Sequence, residues 1–353
     1  MIHIDCDSHI LPHRVYRYVK PEFQSFLPKF HFDNDGRLTD VAVDVDPVTK
    51  TLNPNPFSFH NRVSGISNVE KRIKDLEKMG WNQQLLCPQE LALRFNYSVE
   101  PELAAEMSAS YNQVVAEILN QYPDYFFGVA LIPLQNREAS IDQLQYAIDH
   151  GFRGIYLDMM YLDREQDLAR PIETLDYLEE LYYTCQEHSM VVYRHHMMHH
   201  SLFRRHAWFR SIADFLPHDI ELAILSTINS KIFEKFPDLQ MVFAEDAEPH
   251  AVLAIQKLQE QWAKTHNVTG DTDPMKYCTR NISVTVDIER SESWQHLLST
   301  IGSERLLLSS DYPHDDAAGR NKWNDIEDFK QVSLSAVDRE NMAFRNAQKL
   351  FRL

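Results

Sequence analysis

The sequence predicts an α/β protein of the (β/α)8 TIM-type barrel class, with an insertion after its first strand. Three observations carry that prediction. Short apolar runs alternate with helical patterns along the chain, as parallel strands joined by crossover helices require. The apolar runs number eight, and eight parallel strands close a barrel. The alternative is a doubly wound open sheet, but no GxGxxG or GxxxxGK(S/T) loop follows any strand. Only nine glycines are present to build phosphate-binding turns.

The elements follow in order. The first strand is read at 2–7, where Ile, His, Ile, Asp, Cys and Asp alternate. Residues 20–68, rich in Pro, Asn and Phe, then interrupt the first βα unit. RLTDVAVDVD (37–46) alternates like a strand, so this insertion is read as a hairpin and loop near the barrel mouth. A helix over 70–79 carries Ile73, Leu76 and Met79 at helical spacing and stops at Gly80. The strand at 84–87 is closed by Pro88, and the helix at 101–121 ends in a Tyr-Pro-Asp turn. A strand at 126–133, a helix at 141–150 ended by Gly151, and a strand at 154–158 come next. The pattern continues with helix 172–188, strand 190–194, helix 220–234 and strand 240–244. It closes with helix 250–265, strand 282–286, helix 291–300, strand 306–309 and helix 338–351. No repeat, low-complexity tract or boundary breaks the alternation, so 1–353 is expected to form a single barrel domain.

Composition narrows the function classes. Hydrophobic residues make up 44% of the chain, enough for a sizeable core. The formal charge is −17, from 35 basic against 52 acidic residues, which argues against nucleic acid and anionic membranes as partners. Cys6, Cys87, Cys185 and Cys278 lie far apart with no CxxC pair, so neither a zinc knuckle nor a disulfide framework is indicated. The N-terminus has no basic, apolar leader pattern, and no window approaches a membrane span. The expectation is a cytoplasmic protein acting on a small molecule, without nucleic-acid or membrane partners and with homo-oligomerisation left open.

In barrels of this kind chemistry sits at the C-terminal ends of the strands. The first strand offers Asp5, Asp7 and His9 at i, i+2 and i+4, which a period of two places on one face. Strand five runs into YRHHMMHH, with His195, His196, His199 and His200. Strand six runs into FAEDAEPH, with Glu245, Asp246, Glu248 and His250. Strand eight, RLLLSSDYPHDD (305–316), takes three leucines to their end and delivers Asp311, His314, Asp315 and Asp316. Each cluster alone reads as a polar strand end or a solvated turn. Coincidence at four strand ends points instead to a divalent metal, Zn, Mn or Fe, held by carboxylate and imidazole.

Several stretches carry a family resemblance across essentially the whole chain. They are IDCDSHILP (4–12), NVEKRIKDLEKMGWNQQLLCP (68–88), KFPDLQMVFAEDA (235–247), LLLSSDYPHDD (306–316) and AFRNAQKLFRL (343–353). With these the chain resembles the amidohydrolase superfamily, in the amidohydrolase 2 branch related to aminocarboxymuconate semialdehyde decarboxylase. The family opens DxHxH; here Asp replaces the first His, giving Asp5-x-Asp7-x-His9. The resemblance implies Asp7, His9, a strand-five histidine and Asp311 as metal ligands. Alternation with Val191 and Tyr193 favours His195 over His196, and a bulge would reverse that choice. Where many members place a histidine at the end of strand six, this chain has Glu245, which adds a hard oxygen ligand and suits one metal or two.

The leading expectation is a metal-dependent hydrolase cleaving a C–N or C–O bond of a small carboxyl derivative. The metal would lower the pKa of bound water from about 15.7 toward roughly 7, with Asp311 moving the proton and Glu245 and His314 beside it. Arg94 and Arg194 are the candidates for substrate binding. Three alternatives stand beside it: non-oxidative decarboxylation of a small aromatic or unsaturated acid, a dinuclear iron oxygenase, and a non-catalytic partner subunit.

Overall fold

Eight parallel strands follow one another around a ring in the computed structural model. It describes residues 1–27, 29–42, 63–89, 100–163, 168–195, 218–245, 247–265, 272–288, 291–314 and 325–353. The strands are β1 (Ile4–Asp5), β2 (Gln83–Pro88), β3 (Phe126–Leu131), β4 (Gly154–Asp158), β5 (Val191–His195), β6 (Met241–Ala244), β7 (Ile282–Asp287) and β8 (Leu306–Ser309). β8 returns to β1: Cys6 N donates to Leu308 O at 2.9 Å, and Asp311 N donates to Asp7 O at 3.0 Å. The result is a nearly closed (β/α)8 barrel, as the alternation of the sequence requires.

The strands are buried almost without interruption, since helices cover one face and the barrel interior the other. The helices between them are α1 (Val69–Met79), α2 (Pro101–Gln121), α3 (Arg137–Asp149), α4 (Leu178–His188), α5 (His218–Asn229), α6 (Ala247–Thr265) and α7 (Ser291–Ile301). Local chemistry sets their ends. Asn68 caps α1 by accepting from Lys71 N, and Gly80 ends it in a left-handed turn at φ 90°. Gly154 starts β4 because a Cβ there would lie 2.3 Å from Val191 O of the neighbouring strand.

Four sequence expectations need correction. The first strand does not run through 2–7; it breaks after Asp5 and resumes as a second short pairing at His9–Ile10 against β2. The helix expected at 172–188 begins at Leu178, and an antiparallel hairpin, Met160–Asp163 with Leu168–Pro171, precedes it. The helix at 220–234 is two pieces, α5 and Ile232–Lys235, because Lys231 takes a positive φ of 59°. The last helix starts at Ala336 and widens to a π turn at Asn341–Arg345 before ending at Phe351. Within the insertion, Lys29–Phe32 pairs with Leu38–Ala42 as a hairpin, and residues 43–62 lie outside the described residues. Among the described residues no helix is long and apolar enough to cross a membrane.

Candidate metal centre at the barrel mouth

The break in β1 is held by a satisfied polar network. Arg72 of α1 is fully buried and donates to His9 O at 2.7 Å, Ser8 Oγ at 2.7 Å and Gln84 Oε1 at 3.0 Å. Gln84 in turn donates to Asp5 Oδ2 at 2.7 Å, and Ser310 donates to Asp5 through both its hydroxyl and its backbone N. Burial pushes the Asp5 carboxyl up to about 6, against hydrogen bonds from Ser310, Gln84 and the Asp7 amide that favour its ionised form. Asp5 is thus a clasp between β1, β2 and the end of β8. Its expected place on one face with Asp7 and His9 fails because the strand breaks between them.

What the clasp holds in place is a cluster of acceptors. His9 Nδ1 lies 3.0 Å from Pro88 O, a group that only accepts, so Nδ1 carries the proton. Nε2 then presents a lone pair in the neutral ring. It faces Asp311 Oδ1 at 3.2 Å and Asp7 Oδ1 at 3.6 Å. His195 Nε2 lies 3.8 Å from the same Asp7 oxygen and 3.2 Å from Glu245 Oε2. Among the described residues no hydrogen-bond donor meets Asp7 Oδ1, which is buried. Lone pairs turned toward one another at this spacing repel unless a proton or a cation lies between them.

The donor set fits a divalent cation. Ligand atoms of Asp7, His9 and His195 lie within 4.8 Å of one another, and those of His9, Asp311 and His314 do likewise. Two imidazoles and carboxylate oxygens suit Zn, Mn or Fe. The electrostatics agree. Burial, then the Asp311 charge, raises the Asp7 carboxyl well above its ordinary value, so its ionised form needs a partner. Burial also works against the Asp311 carboxylate, yet the His314 imidazole beside it holds it below the usual range.

Backbone geometry aims the two strand-end acids. Glu245 and Asp311, just past β6 and β8, both take positive φ, at 56° and 51°. That conformation costs an L-residue roughly 1–2 kcal/mol, and strain of this kind gathers where side-chain placement matters. His314 Nδ1 lies 2.7 Å from Asp311 Oδ1, and its ring stacks on His9 with centroids 4.7 Å apart. Tyr193 crosses the interior, donating from its hydroxyl to Cys6 O at 2.8 Å, and so fixes the strand that carries His195.

The sequence-predicted residues divide accordingly. Asp7, His9, His195, Glu245, Asp311 and His314 come together. Alternation along β5 selects His195, the last residue of the strand; His196, His199 and His200 lie outside the described residues, as do Asp246, Asp315, Asp316 and Arg94. Arg194 is a correction. One residue out of phase with His195, it points into the helix layer, fully buried, with Glu173 Oε1 at 2.6 Å and Asp158 and Met159 carbonyls on its other nitrogens. It cannot reach a substrate at the mouth, and it is not the partner of Glu245. Glu248 is in α6 and its carboxylate accepts from Asp287 N at 2.6 Å. Sequence reasoning missed Arg72 and Tyr193. A charged residue in the apolar stripe Val69, Arg72, Leu76 was the signal for the first.

Comparison with known proteins places the chain in a family. The amidohydrolase family profile matches residues 91–353. The chain belongs to the amidohydrolase family. Among curated members, the gamma-resorcylate decarboxylase of Polaromonas sp. (strain JS666) is 23% identical over 259 residues, covering 71% of this chain and 77% of that protein. Among solved structures of the same fold, 2,6-dihydroxybenzoate decarboxylase from Rhizobium superposes with a TM-score of 0.74 at 17% identity, covering 100% of this chain and 99% of that one. A dihydroxybenzoic acid decarboxylase from Polaromonas sp. JS666, with bound manganese and the inhibitor 2-nitroresorcinol, gives a TM-score of 0.73 at 17% identity, covering 100% and 97%. These amidohydrolase relatives carry names of C–C bond cleavage rather than of hydrolysis.

Proposed function

We propose that this protein is a divalent-metal-dependent, non-oxidative decarboxylase of a small aromatic carboxylic acid. The observation that carries the reading is the grouping of His9 Nε2, Asp7 Oδ1, His195 Nε2 and Asp311 Oδ1 at the barrel mouth, a donor set that a divalent cation would join. Asp7, His9, His195 and Asp311 would hold the metal, with Glu245 against His195 as a further ligand or substrate contact. A metal bound there would orient the substrate's carboxylate and adjacent oxygen and stabilise negative charge on them.

The names of the relatives favour decarboxylation over the hydrolysis expected first. In decarboxylation the bond between ring carbon and carboxylate breaks, CO2 leaves, and the electron pair stays on the ring carbon. That carbon must then take one proton. Asp311 and His314, 2.7 Å apart, are the pair that can pass it, since one proton shared between them lies beside the metal ligands. His9, stacked on His314, fixes the plane of that ring.

The test is turnover of 2,6-dihydroxybenzoate and related hydroxybenzoates by the manganese-loaded protein. The expected result is one CO2 per ring product, with one solvent hydrogen on the product carbon and no oxygen from water. Incorporation of water oxygen would return the hydrolytic reading, and consumption of O2 the oxygenase one.

A further inference from the structure

A second concavity lies on the opposite face of the barrel, at the N-terminal ends of β5 to β8. It encloses about 550 Å³ and shares no residue with the metal centre. Its floor is apolar and buried, with Met190, Val191 and Leu239. Its charged residues are Arg280, Arg305, Arg345, Lys349 and Arg352 against only Asp238 and Glu304. In a chain of net charge −17 this local excess of cations is opposite to the rest of the molecule.

The ordinary account is that bases near helix C-termini complement the helix dipole. That account covers Arg280 and Lys349, each in the last turn of a helix. It bears little on Arg305, which ends only a three-residue 3-10 turn, Ser303–Arg305, half-buried just before β8, and donates to neutral acceptors, Thr279 O at 2.7 Å and Gln240 Oε1 at 3.1 Å. Burial works against its charge, and Glu304 is the one acid acting on it. Arg280 likewise donates to neutral groups, Asn281 Oδ1 and Phe233 O. Of the five, Arg345 alone forms an ion pair among the described residues, with Glu340.

We infer that this cavity is a binding site for a small organic anion carrying at least two negative charges, a di- or tricarboxylate or a phosphate monoester. Arg305 and Arg280 meet the charges from the wall, Lys349 and Arg352 close over them from the rim, and the apolar floor takes the carbon skeleton. The volume suits a metabolite-sized ligand. Site and catalytic mouth are separate, so occupancy of one does not exclude the other.

The probes are propane-1,2,3-tricarboxylate and inorganic phosphate, titrated calorimetrically into the full chain at low ionic strength. Saturable binding of one anion per chain is expected. It should weaken at least tenfold in Arg305→Gln with Lys349→Gln, weaken with added salt, and remain in Asp311→Asn. Lys349 is exposed, so Lys349→Gln alone, expected to weaken binding about threefold, serves if the double variant does not fold. No saturable heat with either probe, heat unchanged in the Arg305 and Lys349 variants, or heat lost in Asp311→Asn would each overturn the assignment. The tighter of the two probes identifies the charged group.

Discussion

Two charged clusters, one buried and one opening at the barrel mouth, lie at neighbouring strand ends, and they are built on opposite principles. Arg194 and Glu173 form a closed set: the guanidinium meets a carboxylate and two carbonyls, and Glu173 also accepts from Ser226 at 2.8 Å and Thr227 at 2.9 Å. Every charge there has a partner within the protein. In the second, His9 Nε2 and Asp7 Oδ1 turn acceptor toward acceptor, with His195 beside them and Asp311 against His314 at the edge. The first cluster is closed within the protein, and the second is where the proposed metal would sit. Sequence chemistry does not separate them, since both are Arg, His, Asp and Glu at strand ends. Only the partners do.

The sharpest break in this comparison comes from Asp311→Asn. Under the proposed mechanism turnover falls about 10²–10⁴-fold, the usual contribution of a positioned acid or base, while the melting temperature of the metal-free protein holds. CO2 release and thermal unfolding measured on one preparation decide it, and near-normal turnover would remove Asp311 from proton transfer.

Glu173→Gln should behave in the reverse way. Leaving Arg194 buried beside a neutral amide costs about 3–5 kcal/mol, read as a lower urea midpoint at constant slope. Activity per folded molecule should be kept. A variant that loses turnover without losing stability would move Arg194 and Glu173 into the site.

Metal removal ranks next. A metal held at a hundredfold excess over its dissociation constant adds about 2.7 kcal/mol to stability. Dialysis against a chelator should therefore lower the melting temperature, and manganese should restore it in proportion to concentration. A transition indifferent to metal would argue that the acceptors share protons instead.

Glu245→Gln should lower metal content or activity about 10–100-fold, as loss of a group beside a ligand does, with the stability of the metal-free protein little changed. Elemental analysis alongside kinetics separates the two losses. Lower stability with full activity would make Glu245 a simple ion-pair partner of His195. The smallest effect is expected outside both clusters: Asn68→Ala removes the cap of α1 and should cost about 1 kcal/mol, with kcat unaltered. A fall in kcat there would mean that α1 positions His9 through Arg72 more delicately than the network suggests.

The sequence by itself determined the eightfold alternation, the helix stop at Gly80, and the strand ends that bear imidazole and carboxylate. These are local properties: periodicity and capping are written within a few residues. Alternation favoured His195 within its cluster, and the structure sets it beside Asp7 and Glu245. Tertiary structure decided the rest. A period of two says which side chains share a face, not which face is the interior, and a break such as that after Asp5 resets the count. So Asp5 became a clasp with Gln84 and Ser310, while Asp7 turned to the mouth. Arg194, adjacent to His195, went to the helix layer because its acid, Glu173, lies 21 residues away in the chain and 2.6 Å away in space. Partnership across the fold separates a structural charge from a chemical one, and distance along the chain carries no record of it.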